Sequence, residues 1–246
     1  MNKSHFLVSL ALLLGFSSTT VLADDAEARV LVFGGTGRLG SDIVKALVAD
    51  QHNVTVFART TSNRDRLQGL PVQFATGDVL DAASVDRALG ERRYDVVVDA
   101  LARGTASVDF YRTSAENITE SAAKFGVRQI ILHGSVGAGD SAESYANSSM
   151  SDGMQRLMAA KTAGEAAVVK SGIRFTIIRN SRLLQYGTRE SGQAALYEDH
   201  TMSGPVTREG LARLTATCVL NPDCFDKIYH AIDRSRMRGA GPAEGS

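Results

Sequence analysis

Glycines at positions 34, 35, 37 and 40 punctuate the run Val30-Leu-Val-Phe-Gly-Gly-Thr-Gly-Arg-Leu-Gly, in which an apolar stretch gives way to an amphipathic one. Glycine at 34 lets a chain turn sharply as it leaves a strand, glycine at 37 lets backbone approach a bulky anion, and glycine at 40 lets the next helix pack closely. The opening turn of that helix has N–H groups with no partner inside the helix. The backbone of Gly34, Gly35, Thr36, Gly37, Arg38, Leu39 and Gly40 therefore reads as a cradle for the diphosphate of a dinucleotide. A glycine-rich turn that binds nothing is the competing reading. Position weighs against it, because the turn follows the first strand predicted after residue 23 and opens a helix within a βαβ unit.

The next predicted strand ends in Val-Thr-Val-Phe-Ala-Arg59. An acidic side chain at that place would accept hydrogen bonds from ribose hydroxyls and repel a 2′-phosphate. Arg59 can instead pair with such a phosphate through a charge-assisted fork, with Arg38 or Arg64 as a second partner. NADP, as NADPH, is favoured over NAD, against the alternative that Arg59 extends into solvent.

Around these residues short runs rich in β-branched side chains alternate with longer amphipathic ones. Residues 29–33, 54–58, 72–75, 96–100, 129–133 and 175–179 are predicted strands; 39–49, 82–89, 114–125, 154–171 and 207–217 are predicted helices. Strand–helix alternation requires right-handed crossovers, so the fold class is α/β, a doubly wound parallel sheet of Rossmann type. Segments 137–153 and 181–205 resist the alternation and follow strand ends, which makes them candidate substrate-side pieces against the alternative of plain surface loops. A chain of 246 residues with 43% hydrophobic and 22% charged residues suits one large core, expected over 24–233.

Lys3, the apolar run 6–16 and the small Ala23 after a polar stretch have the layout of a secretory signal peptide over 1–23; the run is too short to span a bilayer. Secreted or periplasmic localisation follows, with no membrane contact after cleavage, and the tail 234–246 is expected to be disordered. Cys218 and Cys224 flank the turn-forming Val-Leu-Asn-Pro-Asp and are expected to form a disulfide in an oxidising compartment; two buried thiols are the alternative. Zero formal net charge gives no reason to invoke nucleic acid, so the expected partner is a small-molecule substrate, with a protein partner left open. His133, His200 and His230 have no companions at metal-ligand spacing, so no metal is expected, and His133 reads as a core or near-site residue. Ser135 lacks a nucleophile-elbow context, which excludes the usual hydrolase reading.

The glycine turn, Gly77-Asp78-Val79, Asn117 with Ala122-Ala123-Lys-Phe-Gly126-Val127, Gly134-Ser135, Lys161 with Glu165, and Ser171-Gly-Ile-Arg-Phe-Thr-Ile-Ile-Arg179 together resemble the atypical short-chain dehydrogenase/reductases. The likeness covers nearly all of the chain after residue 23. It is nearest the small NAD(P)H-binding branch that holds flavin and biliverdin-IXβ reductases, isoflavone-reductase-like enzymes and nitrogen-repression-regulator-like sensors. The resemblance implies that Asp78 and Val79 lie along the adenine, that Ala100 and Leu101 line the cofactor path, and that Ser135 faces the nicotinamide.

Members of that superfamily that reduce carbonyls carry a Tyr four residues before the Lys, and here that place is Leu157; Asn180 likewise replaces a frequent Pro. Leucine cannot donate a proton. Hydride transfer to a flavin, quinone or tetrapyrrole-like acceptor can proceed with solvent as proton source, leaving Lys161 to orient the ribose and Ser135 to bond the acceptor or the carboxamide. The other reading of Lys161 is a helix-surface pair with Glu165. Two functions stand. One is an NADPH-dependent oxidoreductase acting on a conjugated small molecule through Ser135 and Lys161. The other is a non-catalytic dinucleotide-binding sensor or interaction protein of the same fold.

Overall fold

The computed structural model describes residues 27–102, 104, 107–145 and 150–237. The predicted leader over 1–23 and most of the predicted tail, 238–246, lie outside the described residues; Arg234–Arg236, at the head of that tail, form a 3-10 turn. In chain order the elements are β1 (Arg29–Phe33), α1 (Arg38–Ala49), β2 (Asn53–Ala58), β3 (Gln73–Thr76), α2 (Ala82–Gly90), β4 (Val96–Asp99), α3 (Phe110–Lys124), β5 (Gln129–Ser135), α4 (Ala142–Tyr145), α5 (Asp152–Lys170), β6 (Arg174–Asn180), β7 (Arg182–Leu183), β8 (Ala194–Tyr197), β9 (Pro205–Val206), α6 (Arg208–Thr217) and β10 (Lys227–Asp233). Eight strands form one sheet in the order β3-β2-β1-β4-β5-β6-β10-β8; all neighbours are parallel except β8, which runs antiparallel to β10 at the edge. The chain thus has a Rossmann-type α/β fold. Strands β7 and β9 form a separate parallel pair.

Both faces of the sheet are buried, which is why the central strands read as nearly unbroken apolar runs. Side chains alternate between the faces. Val30 and Val32 join Ile43, Val44 and Leu47 of α1 and Leu211 and Leu214 of α6 on one side; Leu31 and Phe33 join Val85 and Leu89 of α2, Ile118 of α3 and Val168 of α5 on the other. Each such large side chain contributes roughly 1.5–3 kcal/mol by leaving water. Register fixes the site: Phe33 lies level with Phe57 of β2 and Asp99 of β4, so these strands end together, at the edge where the glycine turn begins.

Candidate active site

Strand order reverses between β1 and β4, and a cavity of about 850 Å³ opens at the C-terminal ends of those strands. Ligands of open parallel sheets bind in this crevice. One wall is the glycine turn. Gly37 N–H donates to Gly34 O at 2.9 Å, and Gly34 has φ +78°; a β-carbon there would lie 2.6 Å from the Ala100 carbonyl oxygen. Gly35 faces the core instead, where a β-carbon would come within 2.9 Å of Val56. Helices α2, α5 and α6 begin with Asp81, Ser151 and Thr207, whose side chains accept from Ala83, Met154 and Gly210 N–H groups. Helix α1 begins behind Gly37 with no side-chain cap and no acidic residue in its first turn. Its opening N–H groups and positive dipole end are left for an anion, and the small residues leave the space, so the turn fits a dinucleotide diphosphate. Gly34, Thr36, Gly37, Arg38 and Leu39 line the cavity; Gly35 and Gly40 support the turn from behind.

Arg38, Arg59, Asp78 and Val79 line the same cavity. Asn117 of α3 donates to Val79 O at 2.8 Å, and the Asp78 carboxylate accepts from Leu80 N–H at 3.0 Å, which together hold this loop. Arg64 does not join Arg59. Its guanidinium lies 4.1 Å over the Phe74 ring, outside the cavity, because that ring on β3 offers an aromatic face nearer by.

Ala100, Leu101, Ser135 and Lys161 also line the cavity, with Tyr111 of α3 and His133 of β5. The Lys161 ammonium stands 4.2 Å from the centre of the Tyr111 ring. Asp99 is buried at the end of β4, and its carboxylate accepts from Leu101 N–H at 3.0 Å. Burial pushes the Asp99 carboxyl up to about 6, against the pull of the Leu101 N–H and the Lys161 charge. Burial also lowers Lys161, opposed by the carboxylates of Asp99 and Glu165. His133 is buried too, with Nε2 at 2.9 Å from Thr215 Oγ1 of α6; burial and then the Lys161 charge hold its imidazole down at about 4, so it is neutral near pH 7.

The surface-pair reading of Lys161 gives way to this arrangement. Glu165 is buried and taken by Arg179 of β6, whose Nε and Nη2 donate to it at 3.1 and 2.7 Å. Arg179 Nη1 also reaches Asp140 at 2.6 Å, and Asp140 bonds His200 Nδ1 at 2.6 Å. The two irregular segments are thereby tied to each other, with Tyr145 donating to Thr201 O at 2.9 Å. Of their described residues only Leu183 lines the cavity; 137–145 belongs to the network around Arg179 and keeps away from it. Neither Leu157 nor Tyr145 faces the cavity. Sequence reasoning missed Tyr111, Phe110, Asn180 and Arg208 as lining residues. The signal for Tyr111 was its place between β4 and the helix predicted from 114, which in the structure begins at Phe110, since such loops and helix starts ring the ligand crevice.

Cys218, at the end of α6, and Cys224 stand in bridging geometry with Cα atoms 5.4 Å apart. Among the described residues no helix is long and apolar enough to cross a membrane, and no group of three or more His, Cys, Asp or Glu could hold a metal ion.

A family model described as NAD(P)H-binding matches residues 34–222. Sterol demethylase protein B of Methylococcus capsulatus is 33% identical over 113 residues, covering 44% of this chain and 34% of that protein. The chloroplastic divinyl chlorophyllide a 8-vinyl-reductase of Cucumis sativus is 25% identical over 229 residues, covering 82% of this chain and 52% of that one. The chain thus spans about half or less of the length of these curated relatives. Among solved structures, ChuY, an anaerobillin reductase from Escherichia coli O157:H7, superposes with a TM-score of 0.73 at 23% identity over 83% of this chain and 97% of its own. At that identity the likeness is one of fold.

Proposed function

From the premise that this chain belongs to the NAD(P)H-binding family, we propose that it is an NADPH-dependent oxidoreductase that transfers hydride to a conjugated small-molecule acceptor such as a flavin or quinone. One observation carries the reading. The uncapped start of α1 opens into a cavity that has Arg38 and Arg59 among its walls and also Ser135 and Lys161, so phosphate-binding and reaction-side groups share one space. When bound, NADPH supplies the hydride. The residues of the chain do the rest: the glycine turn binds the diphosphate, Arg59 with Arg38 selects the 2′-phosphate, Lys161 orients the ribose, and Ser135 bonds the carboxamide or the acceptor. Two of the relatives are named as reductases, which supports the reductive direction. The apolar leader, with the Cys218–Cys224 pair, supports secretion or a periplasmic location.

The test is a fluorescence titration of residues 24–246 with NADPH and NADH, followed by loss of NADPH absorbance with flavin and quinone acceptors. Binding with oxidation is expected; binding without oxidation of NADPH by any acceptor favours the sensor reading. Arg59→Ala is expected to weaken NADPH by roughly tenfold or more, the cost of one charge-assisted contact, while sparing NADH. Equal weakening of both nucleotides removes the case for phosphate selection.

A further inference from the structure

When hydride reaches a conjugated carbonyl compound, the electron pair displaced through the conjugation settles on the carbonyl oxygen, which then needs a proton. Tyr111 is the one phenol among the described residues that line the cavity. Aliphatic hydroxyls such as Ser135 and Thr36 are far weaker acids than a phenol.

Three features place Tyr111 with Lys161. Tyr111 is half-buried on the second residue of α3, its ring under the Lys161 ammonium at 4.2 Å. Gly164, nearly one turn beyond Lys161, lets α3 and α5 meet: a β-carbon there would lie 3.0 Å from Tyr111 O and 3.3 Å from the Ala115 side chain. Asp99, buried at the end of β4, lines a small cavity with Tyr111 and Lys161 and attracts that ammonium, while Glu165 is held by Arg179.

We infer that Tyr111 is the proton donor of the reaction, that Lys161 is the positioning residue that balances the charge left on it, and that the acceptors are conjugated carbonyl compounds, enones or quinones. The inference rests on the reading under Proposed function and narrows it. The acceptor gains hydride, with its two electrons, from NADPH; its conjugated π electrons shift onto the carbonyl oxygen; that oxygen takes the proton as the Tyr111 O–H bond breaks. NADP⁺ and the reduced acceptor leave, and the phenolate regains its proton from water, its charge balanced meanwhile by the Lys161 ammonium.

Two measurements test this on residues 24–246. Without any cofactor, in protein labelled with ¹³Cζ-tyrosine, the resonance that Tyr111→Phe removes is expected to move in Lys161→Met; no movement overturns the Tyr111–Lys161 contact. With NADPH and an enone or quinone, Tyr111→Phe is expected to keep the Kd for NADPH and to lower turnover by about 10²–10⁴-fold. Turnover of Tyr111→Phe equal to that of the unaltered protein overturns this inference alone. An unaltered protein that binds NADPH and reduces no acceptor overturns the oxidoreductase reading and this inference with it.

Discussion

A β-carbon on Gly40 would press into the backbone of Gly34 and come within 2.8 Å of Gly35 Cα, contacts that no side-chain rotation relieves. Gly69 is a useful contrast: its φ of +79° strains any other residue, but its missing β-carbon faces open space. Gly40→Ala and Gly69→Ala are both expected to cost about 1–3 kcal/mol in urea unfolding, by overpacking and by left-handed strain respectively. Only Gly40→Ala is expected to weaken NADPH, because it alone pushes the phosphate turn open; equal titrations for the two variants would refute the cradle. Gly40 and Arg59 were legible in the sequence as candidates, because local backbone freedom and formal charge mark them. Tyr111 and Asp99 were not, since α3 and β4 bring them beside Lys161 from separate stretches of chain; His133 was legible as a core or near-site residue. Lys161 was legible as a site residue through the family resemblance, but its tertiary setting was not: its local partner Glu165 is claimed by Arg179 from β6.

Strand β10 shows how an element escapes a reading by pattern. Lys227, Tyr229, His230 and Asp233 break its apolar run, yet His230 and Asp233 are fully buried because Met202 O, Ser191 and Ser235 supply hydrogen bonds from other segments. The turn that leads into β10 is fastened at the N-terminal ends of β5 and β6, away from the cavity. Buried Gln129 donates to Thr176 Oγ1 and Cys218 O and accepts from Leu220 N–H, while Thr176 donates to Cys224 O. A bridge between Cys218 and Cys224 closes a short loop, of sequence separation 6, in the unfolded chain. Loop-closure entropy then gives about 2 kcal/mol. Reduction, or the double change Cys218→Ser with Cys224→Ser, is expected to lower stability by that amount and to leave NADPH affinity intact. Intact mass with and without reductant checks the premise: the bridge requires a difference of two hydrogens.

Across the whole molecule, two buried groups beside Lys161 oppose one another as pH changes. Asp99 titrates at about 6 in the fold, against roughly 4 in an unfolded chain, so the native state holds a proton that the unfolded state releases. Its contribution to stability is complete below about pH 4 and is lost as pH rises through 6. His133 titrates at about 4 in the fold against roughly 6.5 unfolded, so the unfolded state takes up a proton that the native state refuses. Its contribution is complete above about pH 6.5 and is lost as pH falls through 4. Each shift amounts to about 3 kcal/mol, and the two slopes largely cancel between pH 4 and 6. The unaltered protein should therefore show little dependence on this pair in that window, and each single variant should uncover the slope of the other. Asp99→Asn keeps an acceptor for Leu101 N–H and should gain stability relative to the unaltered protein as pH rises from 4 to 6; His133→Gln should lose it. Urea midpoints across that range measure both, and because each variant is compared with the unaltered protein at every pH, titrating groups not coupled to the pair drop out. Two difference curves of the same sign would show that burial does not shift Asp99 and His133 in opposite directions near the C-terminal ends of β4 and β5.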